Sequence, residues 1–194
     1  MKYKFTTQPL ASGLYEPEGI YLSTPFDGTH PIIQFWGQHP EAYAVYKYNG
    51  VALKGHIGID FALDPGSILY AVDNGRVMEI SHEPNGFGRY LKIEHRWGES
   101  FFANIGSVSV EAGQVIKRND PVALSGGKGN SARPHLHFAI RIAPFNRYDG
   151  WGGFSDPLPY MNPSNILLFE EDFDEADLFE PHTMVVEKPG MRRP

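Results

Sequence analysis

The chain of 194 residues contains no cysteine. It can therefore form no disulfide and offers no thiolate as a nucleophile or metal ligand, so any metal site must be built from histidine and carboxylate side chains. Long apolar runs are also missing. We expect neither a membrane span nor a signal peptide within this sequence, because no stretch has the continuous apolar length that either needs. A chain without cysteine can occur in a reducing or an oxidising compartment, so this absence does not indicate the compartment.

An excess of basic residues is missing too. The net charge is −6, with 17 Lys and Arg residues against 23 Asp and Glu residues. Seven acidic residues between Glu170 and Glu180 exceed that net charge, so the rest of the chain is nearly neutral. This argues against nucleic acid as a partner, which requires a basic surface. The acidic run is typical of a solvated tail; the alternative is a segment that docks on a protein partner through Phe173, Leu178 and Phe179.

Long helical patterns are absent, whereas glycine (21 residues), proline (16) and short apolar runs are abundant. Runs such as VALKGHIGIDFAL lie between turn signals, which is typical of strands and predicts a predominantly β fold. With 41% apolar residues, the chain is long enough to bury the core of one domain. We predict an irregular lead-in at residues 1–49 that packs on the domain, a main domain at 50–169 and an acidic, flexible tail at 170–194.

The segment PHLHFAIRI, Pro134 to Ile142, alternates like a β-strand and carries two histidines one residue apart. Its even-numbered positions are mostly apolar and form the expected core face. Its odd-numbered positions include His135 and His137, whose side chains therefore point the same way. This pair favours metal binding or proton transfer, because two neighbouring cations would repel each other.

A second alternating segment, GHIGIDFAL at residues 55–63, supplies the candidate partner. Its odd-numbered apolar residues, Ile57 included, are predicted to share one face, and His56 and Asp60 to share the other. On a straight strand these two would be about 13 Å apart, so convergence on one ion requires a bend near Gly58. Either segment alone is weak evidence. Together they offer two histidines and one carboxylate, a known type of catalytic zinc site.

Four segments follow one another over roughly residues 50–142: GHIGIDFA, PGSILYAVDNGRV, GRYLKIEH and EAGQVIKRNDPVALSGGKGNSARPHLHF. In order and spacing they resemble the lysostaphin-type zinc metallo-endopeptidases of peptidoglycan. QFWGQHPEAY upstream is similar to the family's lead-in loop, and NPSNILL downstream to its closing strand. The resemblance implies an all-β fold of mainly antiparallel sheets, a sandwich- or barrel-like hybrid of the duplicated-hybrid-motif type, with a groove that holds one zinc per chain.

The resemblance also implies a role for each candidate residue. The metal ligands fall on His56, Asp60 and His137, and the general base falls on His135. The base would take a proton from the attacking water while zinc polarises the scissile carbonyl. The implied activity is hydrolysis of peptide bonds in bacterial peptidoglycan, with the wall peptide as partner.

One position departs from the family pattern. After the turn RWGE the family usually has an aromatic residue, a small residue and a second active-site histidine, where this chain reads SFFANIG with Asn104. Asparagine can donate a hydrogen bond to a developing oxyanion but cannot shuttle a proton, so we expect slower turnover. His82 or His95 could substitute in space, although His95 shares a strand face with Leu91 and Ile93 and is expected to be structural.

Several interpretations stay open at this point. The protein is either an active endopeptidase or a catalytically impaired, zinc-bearing module that binds wall peptide or regulates a partner, with Asn104 as its signature. Its expected site of action is the cell wall, reached as a phage-type lysin, through a secretion or injection apparatus, or as a trimmed secreted domain.

The GGKGN segment, residues 126–130, lacks the spacing of a phosphate loop and is interpreted as the loop before the HLH strand. A set of aromatic residues could rim a groove or simply pack: Trp36, Tyr43, Tyr46, Trp151 and Phe154.

Overall fold

The computed structural model of the protein describes residues 20–84, 86–127, 133–161 and 166–167. The predicted acidic tail at 170–194 lies outside these residues, as do positions 128–130 of the GGKGN segment. In the described part of the chain, no helix has the length and apolarity needed to cross a membrane.

Strands dominate the described residues, as the turn-rich sequence predicts. They are β1 (His30–Gln34), β2 (Lys47–Tyr48), β3 (Val51–Ala52), β4 (Ile59–Ala62), β5 (Ile68–Tyr70), β6 (Gly75–Glu83), β7 (Gly88–His95), β8 (Gly98–Ala103), β9 (Ile105–Val108), β10 (Val115–Ile116), β11 (Pro121–Ser125), β12 (His135–Ile142) and β13 (Ile166–Leu167). Within the same residues, helix is limited to one turn, α1 (Pro40–Tyr43), and a 3-10 turn at Leu158–Tyr160.

The described strands form two sheets and a small hairpin. The large sheet has the strand order β10-β6-β7-β8-β12-β4-β1-β13, and the small sheet has the order β5-β11-β9. All pairs are antiparallel except β1 with β13. Among the described strands, β2 and β3 pair only with each other.

The main hydrophobic core joins the two sheets. It combines Phe61, Phe102 and Phe138 of the large sheet with Leu69 and Val122 of the small one, and all five are 0% exposed. Full burial of such a side chain contributes about 1.5–3 kcal/mol, so this core holds the layers together. The predicted all-β class with mainly antiparallel sheets is confirmed.

β12 occupies the middle of the large sheet, between β8 and β4. Its even-numbered side chains Leu136, Phe138 and Ile140 pack in the main core, as the alternation predicts. On the opposite face, Ala139 packs in a second cluster of buried aromatic and aliphatic residues together with Phe101. The two histidines of β12 lie on the face of this second cluster.

The lead-in is more regular than the sequence predicts, because it supplies β1, α1 and β2. β1 pairs with β4, and the register places Gln34 opposite Asp60. β13 then pairs with β1, which agrees with a closing strand in NPSNILL.

One predicted side-chain direction is wrong. Ile57 packs in the second cluster, whereas Ile59 and Phe61 pack in the main core. The reason is that β4 begins only at Ile59, and the chain bends at positions 57 and 58. The alternation of a strand therefore does not extend back to Ile57.

Candidate metal centre

Three of the predicted site residues converge on one point. His56 Nε2 lies 3.3 Å from Asp60 Oδ1 and 3.0 Å from His137 Nδ1. His137 Nδ1 lies 2.8 Å from the same carboxylate oxygen. Each residue thus offers one ligand atom to a single small volume, as a metal site requires.

Strand register and a bend bring these atoms together. His137 of β12 stands directly opposite Asp60 of β4, so their side chains share one face of the sheet. His56 precedes β4, and the bend at 57 and 58 folds it back over Asp60. The bend that the sequence requires near Gly58 is present.

Gly58 has a second role that the sequence does not reveal. A Cβ atom at this position would lie 2.7 Å from His137 Cε1 and 2.7 Å from the carbonyl oxygen of Phe138. Real Cβ atoms do not approach other heavy atoms so closely. Glycine is therefore required here for the His137 ring to reach the cluster.

The lead-in fixes the orientation of His56. Its Nδ1 lies 3.0 Å from the carbonyl oxygen of Phe35, the residue that follows β1. A carbonyl only accepts hydrogen bonds, so Nδ1 carries the proton and Nε2 presents its lone pair to the cluster. Backbone bonds from Gly37 N to His56 O (2.9 Å) and from His56 N to Gln38 O (3.0 Å) hold this arrangement.

The cluster is deeply buried: His56 is 1% exposed, Asp60 3% and His137 2%. Burying an ionised carboxylate beside imidazoles is costly unless the charge is paired or bound to a cation. Two imidazole nitrogens and one carboxylate oxygen are the donor set of catalytic zinc sites that keep a position open for water or substrate. The residues present therefore fit a zinc ion.

A buried phenol lies beside this cluster. The ring of Tyr43 lies 5.6 Å from the ring of His56, and its hydroxyl accepts a hydrogen bond of 3.1 Å from Gln34 Nε2. Burial raises the pKa of Tyr43 well above its usual range, and the charge on Asp60 raises it further. Tyr43 is therefore neutral and lines the site without adding a charge. The sequence singles out Tyr43 only as an aromatic residue and gives no signal for Gln34.

His135 lies on the same face of β12 as His137 and is 1% exposed. Its Nδ1 lies 3.0 Å from the carbonyl oxygen of Arg133. Because that carbonyl can only accept, Nδ1 is the protonated nitrogen, and Nε2 is the basic atom of the ring. This is the tautomer that a general base of the predicted kind needs.

Asn104 follows β8 and lies beside His135. Its Nδ2 donates hydrogen bonds of 2.9 Å to the carbonyl oxygens of His135 and Gly127, and lies 3.3 Å from His135 Nδ1. An oxyanion role, as predicted from the sequence, would require the amide to release one of these two carbonyls.

The other two histidines considered from the sequence lie elsewhere. His82 is exposed on β6. His95 is buried, with Nδ1 2.8 Å from the carbonyl oxygen of Asn74, Nε2 2.7 Å from Ser100 Oγ and its ring stacked on Trp97. Burial lowers the pKa of His95, so it is neutral in this network. The expectation that His95 is structural agrees with these contacts.

The aromatic residues singled out in the sequence pack around the second cluster. Trp36 and Trp151 stack on each other with ring centroids 4.8 Å apart, and both are only partly buried. Tyr43, Tyr46 and Phe154 are buried members of the cluster. Packing thus accounts for these three, while the tryptophan pair lies nearer the surface.

Comparisons with known proteins agree with the resemblance seen in the sequence. Residues 54–149 match the model of peptidase family M23. Over 91 residues (46% of this chain) the sequence is 33% identical to an uncharacterized metalloprotease of Haemophilus influenzae, and over 88 residues (45%) it is 34% identical to the peptidoglycan DD-endopeptidase ShyB of Vibrio cholerae. The chain spans only 19% and 20% of the lengths of these two relatives.

A solved structure supports the same assignment. The crystal structure of a zinc-containing peptidase from Vibrio cholerae is similar with a TM-score of 0.51 and 28% identity, covering 61% of this chain and 36% of that one. The family match, the relatives and this structure together support assignment to peptidase family M23.

Proposed function

We propose that this chain, whose residues 54–149 match peptidase family M23, is a zinc metallo-endopeptidase that hydrolyses peptide bonds of bacterial peptidoglycan. The observation that carries the proposal is the convergence of His56 Nε2, Asp60 Oδ1 and His137 Nδ1. The similarity to a peptidoglycan DD-endopeptidase and to a zinc-containing peptidase supports the substrate class and the metal.

In the proposed site, His56, Asp60 and His137 would hold one zinc ion per chain. When bound there, zinc supplies a Lewis acid that polarises the scissile carbonyl and makes water more acidic. Because Asp60 is the one carboxylate among the three residues, the site with zinc bound would keep a net positive charge, which would favour a carbonyl oxygen as it becomes negative. The Phe35 carbonyl keeps Nε2 of His56 directed at Asp60 Oδ1 and His137 Nδ1.

His135 acts as the general base. Its Nδ1–H is engaged by the Arg133 carbonyl, so Nε2 accepts a proton from the attacking water and can return it to the leaving amine. A positioned base of this kind contributes on the order of 10² to 10⁴ in rate. Burial of the ring keeps bulk water away from the basic nitrogen.

Incubation with purified peptidoglycan, followed by mass spectrometry of the released muropeptides, tests the proposal. Wild-type protein with zinc should release cleaved peptides, and a chelator should stop the release. His135→Ala should lose activity and retain zinc, whereas Asp60→Ala should lose both. Release that persists in chelator, or in both variants, would show that the assignment is wrong. The products also show whether the bond cleaved involves D-alanine or glycine.

A second candidate function rests on Asn104, which stands where the family's second histidine is expected. The protein would then be a catalytically impaired, zinc-bearing module that binds wall peptide or regulates a partner. Sedimentation of the protein with peptidoglycan, without release of peptides at any zinc concentration, would favour this function over hydrolysis. In either case we propose the cell wall as the site of action.

A further inference from the structure

We propose that Asn104 is a positioning residue that clamps the backbone on both sides of positions 128–134 and thereby fixes the general base His135. The catalytic part of this inference rests on the proposed function. Four hydrogen bonds of Asn104 carry it, two made by the backbone and two by the side-chain Nδ2.

The backbone of Asn104 is tied to both neighbouring segments. Its N–H donates to the carbonyl oxygen of Phe87 (3.0 Å), and its carbonyl oxygen accepts from Gly126 N (2.9 Å). A Cβ atom on Gly126 would lie 2.4 Å from the Asn104 oxygen, so only glycine permits this approach. These two hydrogen bonds fix the main chain at Asn104 independently of its side chain.

The side chain completes the clamp. Asn104 Nδ2 donates to the carbonyl oxygens of Gly127 and His135, both at 2.9 Å. These two residues flank positions 128–134, so one amide group links the residue before this connection to the residue after it. Each such bond contributes about 0.5–1.5 kcal/mol to stability.

The large sheet supports His135 from one side, where it stands opposite Ala62 of β4. Pairing of β12 with β8 ends at His137 opposite Ala103, two residues short of His135. The chain turns out of the large sheet at Asn104, whose φ is +57°. The Asn104 amide then bonds the His135 carbonyl on the side where β8 has ended. The Asn104 side chain thus bonds β12 at a position where β8 no longer pairs with it.

Asparagine suits this position for two reasons. It adopts the left-handed backbone conformation more readily than most residues. Its short side chain also carries two N–H donors on one nitrogen, which can bond two carbonyls at once. Histidine has at most one N–H on each ring nitrogen, and aspartate has none when ionised. The residue that the family pattern would place here could therefore not form the same bridge.

The effect on catalysis follows from the position of the base. His135 carries the Nδ1–H bond to the Arg133 carbonyl, so the direction of Nε2 depends on the backbone on both sides of the ring. Misplacement of a reacting group by about 1 Å can lower a rate on the order of 10²-fold. Loss of the clamp should therefore lower kcat, with little change in KM or in zinc content, since no metal ligand is touched.

The test compares Asn104→Gly and Asn104→Asp with Asn119→Asp. Glycine keeps the left-handed conformation and removes the amide, and aspartate keeps the shape and removes both donors. Asn119 also has a positive φ, +67°, and is exposed outside the site, so it serves as the matched control. Zinc content and melting temperature establish that each variant is folded.

Hydrogen exchange monitored by mass spectrometry should show faster exchange in peptides that contain Gly127 or His135 in both Asn104 variants and not in Asn119→Asp. Turnover on peptidoglycan should fall at least about tenfold in kcat with KM nearly unchanged. Unchanged exchange with lower kcat would overturn the clamp and make Asn104 an oxyanion donor instead. Faster exchange with unchanged kcat would overturn the positioning of His135. If wild type cleaves nothing, the proposed function fails, while exchange still decides whether the clamp exists.

Discussion

The two ends of one face of β12 use buried polar side chains in opposite ways. At the N-terminal end, His137 joins His56 and Asp60 with three ligand atoms directed at a common point. At the C-terminal end, Arg141 is likewise buried, with 1% exposed, but its guanidinium bonds Glu99 Oε1 at 3.0 Å and the Gly152 carbonyl at 2.9 Å.

Arg141 is enclosed on every side that the contacts show. Its guanidinium donates to the Tyr48 hydroxyl and lies 3.8 Å from the ring centroid of Phe154. These partners come from the β2–β3 hairpin and from the segment after β12, so Arg141 ties both to the sheet. Burial of a charge is therefore no sign of function by itself. What distinguishes the histidine end is that its donor atoms converge, whereas the donors of Arg141 diverge to separate partners.

The largest expected effect is at the histidine end. His137→Ala removes one of three ligands, so zinc content should fall from about one equivalent to near zero and hydrolysis should fall to background. Elemental analysis measures the zinc content, and muropeptide release measures hydrolysis. Retention of a full equivalent of zinc would show that the converging atoms are not the metal site.

At the other end, Arg141→Met should act on stability instead. It leaves the Glu99 carboxylate buried without its main partner, which typically costs about 3–5 kcal/mol. For a chain of this size that corresponds to a fall in melting temperature on the order of 10 °C. Zinc bound per folded chain should not change. Loss of zinc in a folded Arg141→Met protein would contradict the division between the two ends.

Gly58→Ala should give an intermediate effect at the histidine end. The new methyl group would overlap the His137 ring, which must then move away from Asp60. We expect zinc affinity to fall by about 10–100-fold, as when the support of a ligand is lost. Gly127→Ala is the control, because a Cβ atom there meets nothing within 4 Å. Equal zinc affinities in a competition titration would show that the ring adapts.

The smallest effect concerns His95, a buried histidine that belongs to neither end. Its folded-state pKa is lowered by burial, so the unfolded chain binds the proton more readily. Stability should therefore be fully present above about pH 6.5 and decline as the pH falls below it. His95→Gln should flatten this decline relative to wild type, measured as melting temperature against pH. Parallel curves for the two proteins would mean that other groups cause it.

The sequence predicts those parts of the site that depend on side-chain type and strand periodicity. Alternation in PHLHFAIRI correctly separates the core face of β12 from the histidine face, and the spacing around Gly58 correctly requires a bend. The prediction for Ile57 fails because periodicity holds only within a strand, and this strand begins two residues later.

Contacts to backbone carbonyls could not be predicted in the same way. The Phe35 carbonyl orients His56, and the carbonyls of Gly127 and His135 receive the Asn104 amide. Every residue has a backbone carbonyl, so the sequence does not indicate which carbonyls accept these hydrogen bonds. Likewise, nothing in the alternation of β12 indicates that Arg141 is fully enclosed, since its partners Tyr48 and Glu99 lie on distant segments.

The insertion of β1 into the large sheet has a consequence for how this domain can be exchanged between proteins. The family match begins at residue 54, but β1 covers the edge of β4, and the residue that follows β1 supplies the carbonyl that orients the proposed metal ligand His56. A transplant cut at residue 54 would expose β4 as an open edge, which favours aggregation, and would release the ring of His56. The transferable unit therefore begins no later than His30, and it ends with the strand that pairs with β1.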